Sequence, residues 1–202
     1  FFGRWQLVLD FQSGDRSRTE GVGGSASYPL LLVICQQDPS QKVRAAGLGS
    51  LCALLEAPSV RTFPVPLESG APGALQGRST AKAFTPMAGL VATTLRQSHD
   101  LVFGLLQSKN YLDVQSALRA LAELLACTPY PKLKPGLVSR SVRSIMPLVR
   151  GGKGLSNLEN IPQVVSASIT ALAAAMKRED CADELLRCFY GDGAGSDTAS
   201  AG

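Results

Sequence analysis

An all-α fold of stacked helical pairs is predicted for this chain of 202 residues, and three observations predict it. Apolar residues make up 45% of the chain and aromatic residues only 6%, with Leu, Ala and Val dominating, a composition that suits helices better than a sandwich of strands. Apolar side chains recur at i, i+3, i+4 and i+7 through several long stretches separated by Gly, Pro and Ser. One such stripe is itself repeated. Leu48, Leu51, Leu54 and Leu55 have the same spacing as Leu118, Leu121, Leu124 and Leu125, and as Ile169, Leu172, Ala175 and Met176. A single stripe fits any amphipathic helix, but three copies, each preceded by another apolar helix, point to an α-solenoid. Residues 41–55, 111–126 and 162–177 are therefore expected to form equivalent layers of one right-handed stack.

Residues 1–27 are expected to be an N-terminal segment followed by a flexible Gly/Ser loop. Tyr28 to Gln37 reads as a short apolar helix. The next helix opens at Asp38-Pro39-Ser40-Gln41-Lys42-Val43-Arg44. Asp38 can cap it, and Pro39 suits its first turn because the missing N–H has no partner there. Val43, Gly47, Leu51 and Leu55 share one face, widened by Leu48 and Leu54. Arg44 lies just off that face, in reach of a carboxylate on a neighbouring pair. Gly47 and Gly49 each cost a helix interior about 1 kcal/mol against Ala, so either close packing or simple tolerance is expected of them.

Residues 57–80 hold four prolines and three glycines and are expected to be a disordered insertion. Order resumes where Thr85 can cap a helix that starts at Pro86 and runs to about Gln107. Asn110 to Ala126 and Leu137 to Val149 are the next two helices. Gly151, Gly152 and Gly154 break the latter, and Pro162 restarts a helix to about Arg178. Asp180 is expected to cap a last short helix, and 191–202 to be a disordered tail. The body of the fold is thus 28–190. One domain is the expected count, and because the chain opens on Phe1 a fragment of a longer protein is expected.

The five cysteines are odd in number, lack a Cys-x-x-Cys pair and sit in apolar helical runs. They read as reduced core thiols of an intracellular protein, cytoplasmic or nuclear. The longest apolar runs are far too short to span a bilayer. No catalytic, cofactor-binding or metal-ligating constellation emerges. His99, the single histidine, is flanked by Ser98 and Asp100. Neighbours on a helix point about 100° apart and cannot converge as a triad, so His99 is expected on the surface or at a cap. The run Arg150-Gly151-Gly152-Lys153-Gly154 has Pro147 and Gly154 where a phosphate loop needs its first Gly and its Ser/Thr, and reads as a helix-breaking loop.

The stretch 132–153 contains Lys132, Lys134, Arg140, Arg143, Arg150 and Lys153 and no acidic residue. Arg140 and Arg143, three apart, share a helix face opposite Leu137, Val138, Ile145 and Val149. With no counter-charge nearby in sequence, Arg140 and Arg143 are the expected centre of a contact with an acidic protein segment, and Lys132 and Lys134 its rim. Nucleic acid is the competing partner for these charges, weakened because no aromatic residues interleave with them beyond Tyr130.

Several blocks resemble the HEAT repeat-containing protein 6 family. They are Asp38-Pro39-Ser40-Gln41-Lys42-Val43-Arg44-Ala45, Lys82-Ala83-Phe84-Thr85-Pro86, Pro129-Tyr130-Pro131-Lys132-Leu133-Lys134 and the opening Phe2-Gly3-Arg4-Trp5. The resemblance covers most of 1–190 and implies an armadillo-like helical domain, with Asp38, Pro39, Val43 and Arg44 as its structural repeat motif. It brings no catalytic or cofactor residues. The Asp-x-x-Val-Arg opening is absent before the last repeat, where the chain has Asn160-Ile161-Pro162-Gln163-Val164-Val165. The expected role is a non-catalytic scaffold for protein partners.

Overall fold

The computed structural model describes residues 30–56, 86–133, 135–150 and 161–190. The expected loop at 1–27, insertion at 57–80, Thr85 cap, glycine break at 151–154 and tail at 191–202 all lie outside them. Among the described residues the fold is all-α, with seven α-helices and no strand. The helices are α1 (Leu30–Gln37), α2 (Gln41–Leu55), α3 (Pro86–Leu105), α4 (Tyr111–Cys127), α5 (Leu137–Arg150), α6 (Pro162–Met176) and α7 (Ala182–Tyr190). Short 3-10 turns at Tyr130–Lys132 and Glu179–Cys181 lead into α5 and α7.

The helix starts follow local chemistry. Asn110 caps α4, its side-chain oxygen accepting the Leu112 N–H at 3.1 Å. The same oxygen accepts from Gln41 Nε2 at 2.7 Å, which fastens the first turn of α2 to the first turn of α4. The cap of α2 is Ser40, two residues later than expected. Asp38 instead turns the chain before the helix, its Oδ1 accepting the Ser40 N–H at 2.8 Å, and Pro39 belongs to that turn. Helix α5 receives its cap from another element. Glu184 Oε1 on α7 accepts from the Gly136 and Ser139 N–H groups at 3.1 and 2.9 Å and from Ser139 Oγ at 2.7 Å. Gly136 holds φ +106° in the turn before α5, a value that only Gly adopts without strain. Asp180 does not cap α7; it sits in the 3-10 turn and pairs with Arg178.

Three helical pairs pack together, α1 on α2, α3 on α4 and α5 on α6. Helix α4 lies between α2 and α6 and packs on both, while α1 touches α3, α3 touches α5 and α5 touches α7. The centre is α4. Its Leu118, Leu121, Leu124 and Leu125 are all 0% exposed, and full burial of each such side chain contributes about 1.5–3 kcal/mol. On α2 the buried stripe is Gly47, Leu48, Leu51 and Leu55. Val43, expected to start this row, is 42% exposed at its edge.

Gly47 has a clear packing reason. A Cβ there would lie 2.8 Å from Cys35 Sγ on α1, so the absent side chain lets α1 and α2 approach. A Cβ at Gly49 would meet nothing within 4 Å.

The third copy of the stripe is displaced by one residue from expectation. The buried residues of α6 are Val164, Ala167, Ser168, Ala171 and Ala175, whereas Ile169 and Met176 are 54% and 69% exposed. The match is to Val114, Ala117, Leu118, Leu121 and Leu125 of α4, all buried. Small residues fill the interior of α6 because α4 and α5 both press on it, and its large apolar groups point elsewhere.

Candidate interaction surface

Helices α2 and α4 are joined by an ion pair out of bulk solvent. Arg44 Nη2 donates to Asp113 Oδ2 at 2.8 Å, with the two side chains 17% and 7% exposed. Arg44 Nη1 donates to the Asp38 carbonyl at 2.8 Å, so one guanidinium holds both the turn that opens α2 and the first turn of α4. The opening of α2 thus places Arg44 against the carboxylate of a neighbouring helical pair. In the register set by burial, α4 has Val114 where α2 has Arg44, and α6 has Gln163 where α4 has Asp113. The rung does not recur between α4 and α6.

His99 is not on the surface. It is 0% exposed, within bonding distance of the Leu95 carbonyl at 2.8 Å and of Tyr130 Oη at 2.9 Å. A carbonyl only accepts, so Nδ1 carries the proton and Nε2 accepts from the tyrosine hydroxyl. Burial pushes the His99 pKa below its ordinary value, with the Leu95 carbonyl and Asp100 opposing, so the ring is held neutral. Burial also pushes the Tyr130 phenol well above its usual range. Arg178, on the turn after α6, lies over the Tyr130 ring at 5.5 Å and donates to the Ala126 carbonyl at 3.0 Å, satisfying an orphan carbonyl at the end of α4. This hub ties α3, α4 and the segment after α6. Sequence reasoning missed it, because the polar neighbours of His99 suggest exposure and its partner Tyr130 lies 31 residues on.

The basic stretch is differently placed from expectation. Arg140 has a counter-charge, Asp100 of α3 at 3.2 Å, with both side chains more than half exposed. Its guanidinium also stacks on the Phe103 ring at 4.2 Å from the centroid. The expectation of a free cation was wrong because the carboxylate comes from an element 40 residues earlier. Arg143 is exposed and lines a cleft of about 720 Å³ between the Tyr130 turn, the start of α5 and α7. The same cleft carries Glu179, Asp183, Glu184 and Arg187, so its field is mixed rather than basic. Lys132 is exposed on its turn. Lys134 lies outside the described residues.

The cysteines are free thiols, with Cys35, Cys127 and Cys181 buried and Cys52 and Cys188 half-buried. Burial, with a contribution from Cys52, pushes the Cys35 thiol up to about 12. Burial and the nearby Glu123 and Glu56 carboxylates push Cys52 to about 11. Neither is a thiolate at neutral pH, so neither has the reactivity that low-pKa cysteines show. Among the described residues no group of three or more His, Cys, Asp or Glu is arranged to hold a metal ion, and no helix is long and apolar enough to cross a membrane.

A different surface stands out. Helix α6 has no charged residue in its fifteen positions. Between it and α4 runs a groove of about 450 Å³ lined by Gln115, Arg119, Gln163, Ser166 and Thr170. On α2 the exposed residues include Ala46, Gly49 and Ser50. The row α2–α4–α6 therefore offers solvent mostly small side chains, with charges at Lys42, in line with Ala46 and Ser50 on α2, and at Arg119 on α4.

No solved structure matches this chain. The family described as Domain of unknown function (DUF4042) matches residues 1–185, and the chain belongs to that family.

Proposed function

We propose that the chain is a non-catalytic scaffold for protein–protein interaction, built as an α-solenoid of HEAT- or armadillo-like helical pairs. The pairs are α1/α2, α3/α4 and α5/α6 in a right-handed stack, with α7 opening a fourth. The observation that carries this reading is the position of α4, sandwiched between α2 and α6 with its leucines wholly buried. Stacked units of this kind bury one continuous core and leave a ridge of helix faces to contact partners. The uncharged exposed residues of α6 support the reading, since charged residues are depleted at the centres of protein interfaces. The resemblance to the HEAT repeat-containing protein 6 family is, in this reading, one of architecture. The partner contact belongs on the α2–α4–α6 row, not on Lys132, Arg140 and Arg143, since Arg140 is engaged by Asp100 and Phe103 and Arg143 shares its cleft with carboxylates.

The test is capture of proteins on the immobilised chain, before and after nuclease treatment, and with the double reversal Arg140→Glu, Arg143→Glu. Protein capture that survives both is expected. Loss on nuclease treatment would transfer the function to nucleic-acid binding. Loss with the double reversal would return the contact to an acidic partner of the basic stretch.

A further inference from the structure

The groove between α4 and α6 is built from polar groups that the chain leaves without partners. Gln115 and Arg119 of α4 form one wall, Gln163, Ser166 and Thr170 of α6 the other, and Pro162 and Ala167 complete the lining. Thr170 Oγ1 donates to the Ser166 carbonyl at 3.0 Å. Among the described residues, the side chains of Gln115, Arg119 and Gln163 make no hydrogen bond or ion pair. No carboxylate lines the groove, and Glu123, one turn further along α4, is not part of it. The cleft beside α7 differs in this respect, since its arginines share the space with Glu179, Asp180, Asp183 and Glu184.

Shape and chemistry together define an occupant. Packed helices lie about 8–10 Å apart, and a helix with its side chains is about 10–12 Å across, so a third helix rides over this groove rather than entering it. An extended chain, which packs about 4.8 Å from its neighbour, is narrow enough to enter. A primary amide offers one acceptor oxygen and two N–H donors, the complement of a peptide group. Gln115 and Gln163, on opposite walls, can therefore take an extended backbone from both sides. Arg119 sets what that backbone carries, because a guanidinium without a partner matches a carboxylate through two parallel hydrogen bonds. Nucleic acid fits less well: one cation and no aromatic ring line the groove, where a phosphate chain takes a track of cations and a stacking surface. Nor does most of this chain supply an acidic occupant. Outside the described residues, 1–29, 57–85 and 151–160 each carry at least as many Lys and Arg as Asp and Glu. Residues 191–202, with Asp192, Asp197 and no cation, are the one rival within the chain.

We propose that the α4–α6 groove binds a short extended segment of a partner protein that carries an Asp or Glu. Gln115 and Gln163 hold the backbone of that segment and Arg119 its carboxylate. The inference rests on the scaffold reading and gives the α2–α4–α6 row a partner of stated chemistry.

The probe is an array of short peptides, random except for a central Glu, Asp, Gln or Lys, incubated with the intact chain. The strongest acidic sequences are then labelled and titrated by fluorescence anisotropy, beside versions with the central acid changed to Gln. The acidic peptides should bind at least about tenfold tighter. Arg119→Gln should bring that preference within about twofold, Arg119→Glu should turn it toward Lys, and Arg119→Lys should keep it in weaker form. Gln163→Ala should weaken acidic and neutral peptides alike by about threefold or more. Arg143→Glu, in the other cleft, should change neither. Arg119 and Gln163 are exposed, so melting temperatures should hold; should Arg119→Gln melt lower, Arg119→Met makes the same comparison. Absence of an acidic preference, or a preference that Arg119→Gln leaves intact, overturns the proposal. So does an oligothymidylate that displaces the peptide and whose own binding is lost with Arg119→Gln, since the groove then takes phosphate. At least about tenfold tighter peptide binding by the Asp192→Asn, Asp197→Asn variant also overturns it, since 191–202 is then the occupant. Nuclease-resistant protein capture that persists with Arg119→Gln while the peptides fail leaves the scaffold reading standing and removes only this groove. Failure of both removes both.

Discussion

Replacing Gly47 and Gly49 separately by Ala tests the packing of the first pair with an internal control. Both glycines lie inside α2, and Ala relieves each of about 1 kcal/mol of helix-propensity cost. At Gly49 nothing lies within 4 Å of the new Cβ, so that gain should be realised nearly in full. At Gly47 the Cβ would sit 2.8 Å from Cys35 Sγ, far inside contact distance. Cys35 is 0% exposed, so its sulfur cannot swing into solvent, and α1 and α2 must part instead. Overpacking of this kind costs about 1–3 kcal/mol. The net expectation for Gly47→Ala is a loss of about 1 kcal/mol, and the two alanine variants should therefore differ by about 2 kcal/mol in urea unfolding. Adding Cys35→Ala to Gly47→Ala removes the sulfur and should make the second substitution less costly than on its own. Equal stability of Gly47→Ala and Gly49→Ala would refute the reasoning, as would a Cys35→Ala, Gly47→Ala pair that adds without coupling.

The neutral, buried His99 gives a signed pH dependence. Its folded pKa lies below its unfolded one, so its contribution is present in full above about pH 6.5 and declines below it at up to about 1.4 kcal/mol per pH unit. Melting temperature from pH 7.5 to 5 should fall accordingly, and His99→Gln should flatten that slope. Tyr130 has the opposite sign, its raised pKa predicting loss of stability above about pH 10 as the unfolded chain ionises first. Glu184→Ala removes the acceptor for two N–H groups and a hydroxyl at the start of α5. It should cost about 1–2 kcal/mol and speed hydrogen exchange at Ser139 while leaving Leu121 and Leu124 protected.

The helices were legible because their punctuation is local. Pro86, Asn110 and Pro162 mark starts that depend only on the first turn, and the leucines of α4 report their own burial. Arg44 was legible too, since its position just off the apolar stripe leaves the neighbouring pair as its nearest source of a carboxylate. What escaped is non-local. His99 is buried by Tyr130 and Arg140 is neutralised by Asp100, contacts that no periodicity encodes. The register of α6 escaped for a chemical reason. Its core face is alanine and serine, so a search for large apolar residues settles on Ile169 and Met176, which face the other way. The cap of α5 comes from Glu184 on α7, and nothing near Gly136 in sequence announces it.

A double-mutant cycle on Arg44 and Asp113, read by urea unfolding, tests most directly that the pairs stack as one cooperative array. Asp113→Leu strands a guanidinium that is largely withdrawn from solvent, though Arg44 keeps the Asp38 carbonyl as acceptor. Truncating one partner of a buried pair costs about 3–5 kcal/mol, and the retained acceptor should reduce this to about 2–3 kcal/mol. Arg44→Met leaves Asp113 with weaker partners at a similar cost, whereas the double variant should lose far less than the sum. The account predicts a coupling energy of about 2 kcal/mol between α2 and α4, with a single unfolding transition in all four proteins. Coupling within about 0.5 kcal/mol of zero, or separate transitions for the α1/α2 pair and the rest, would contradict it.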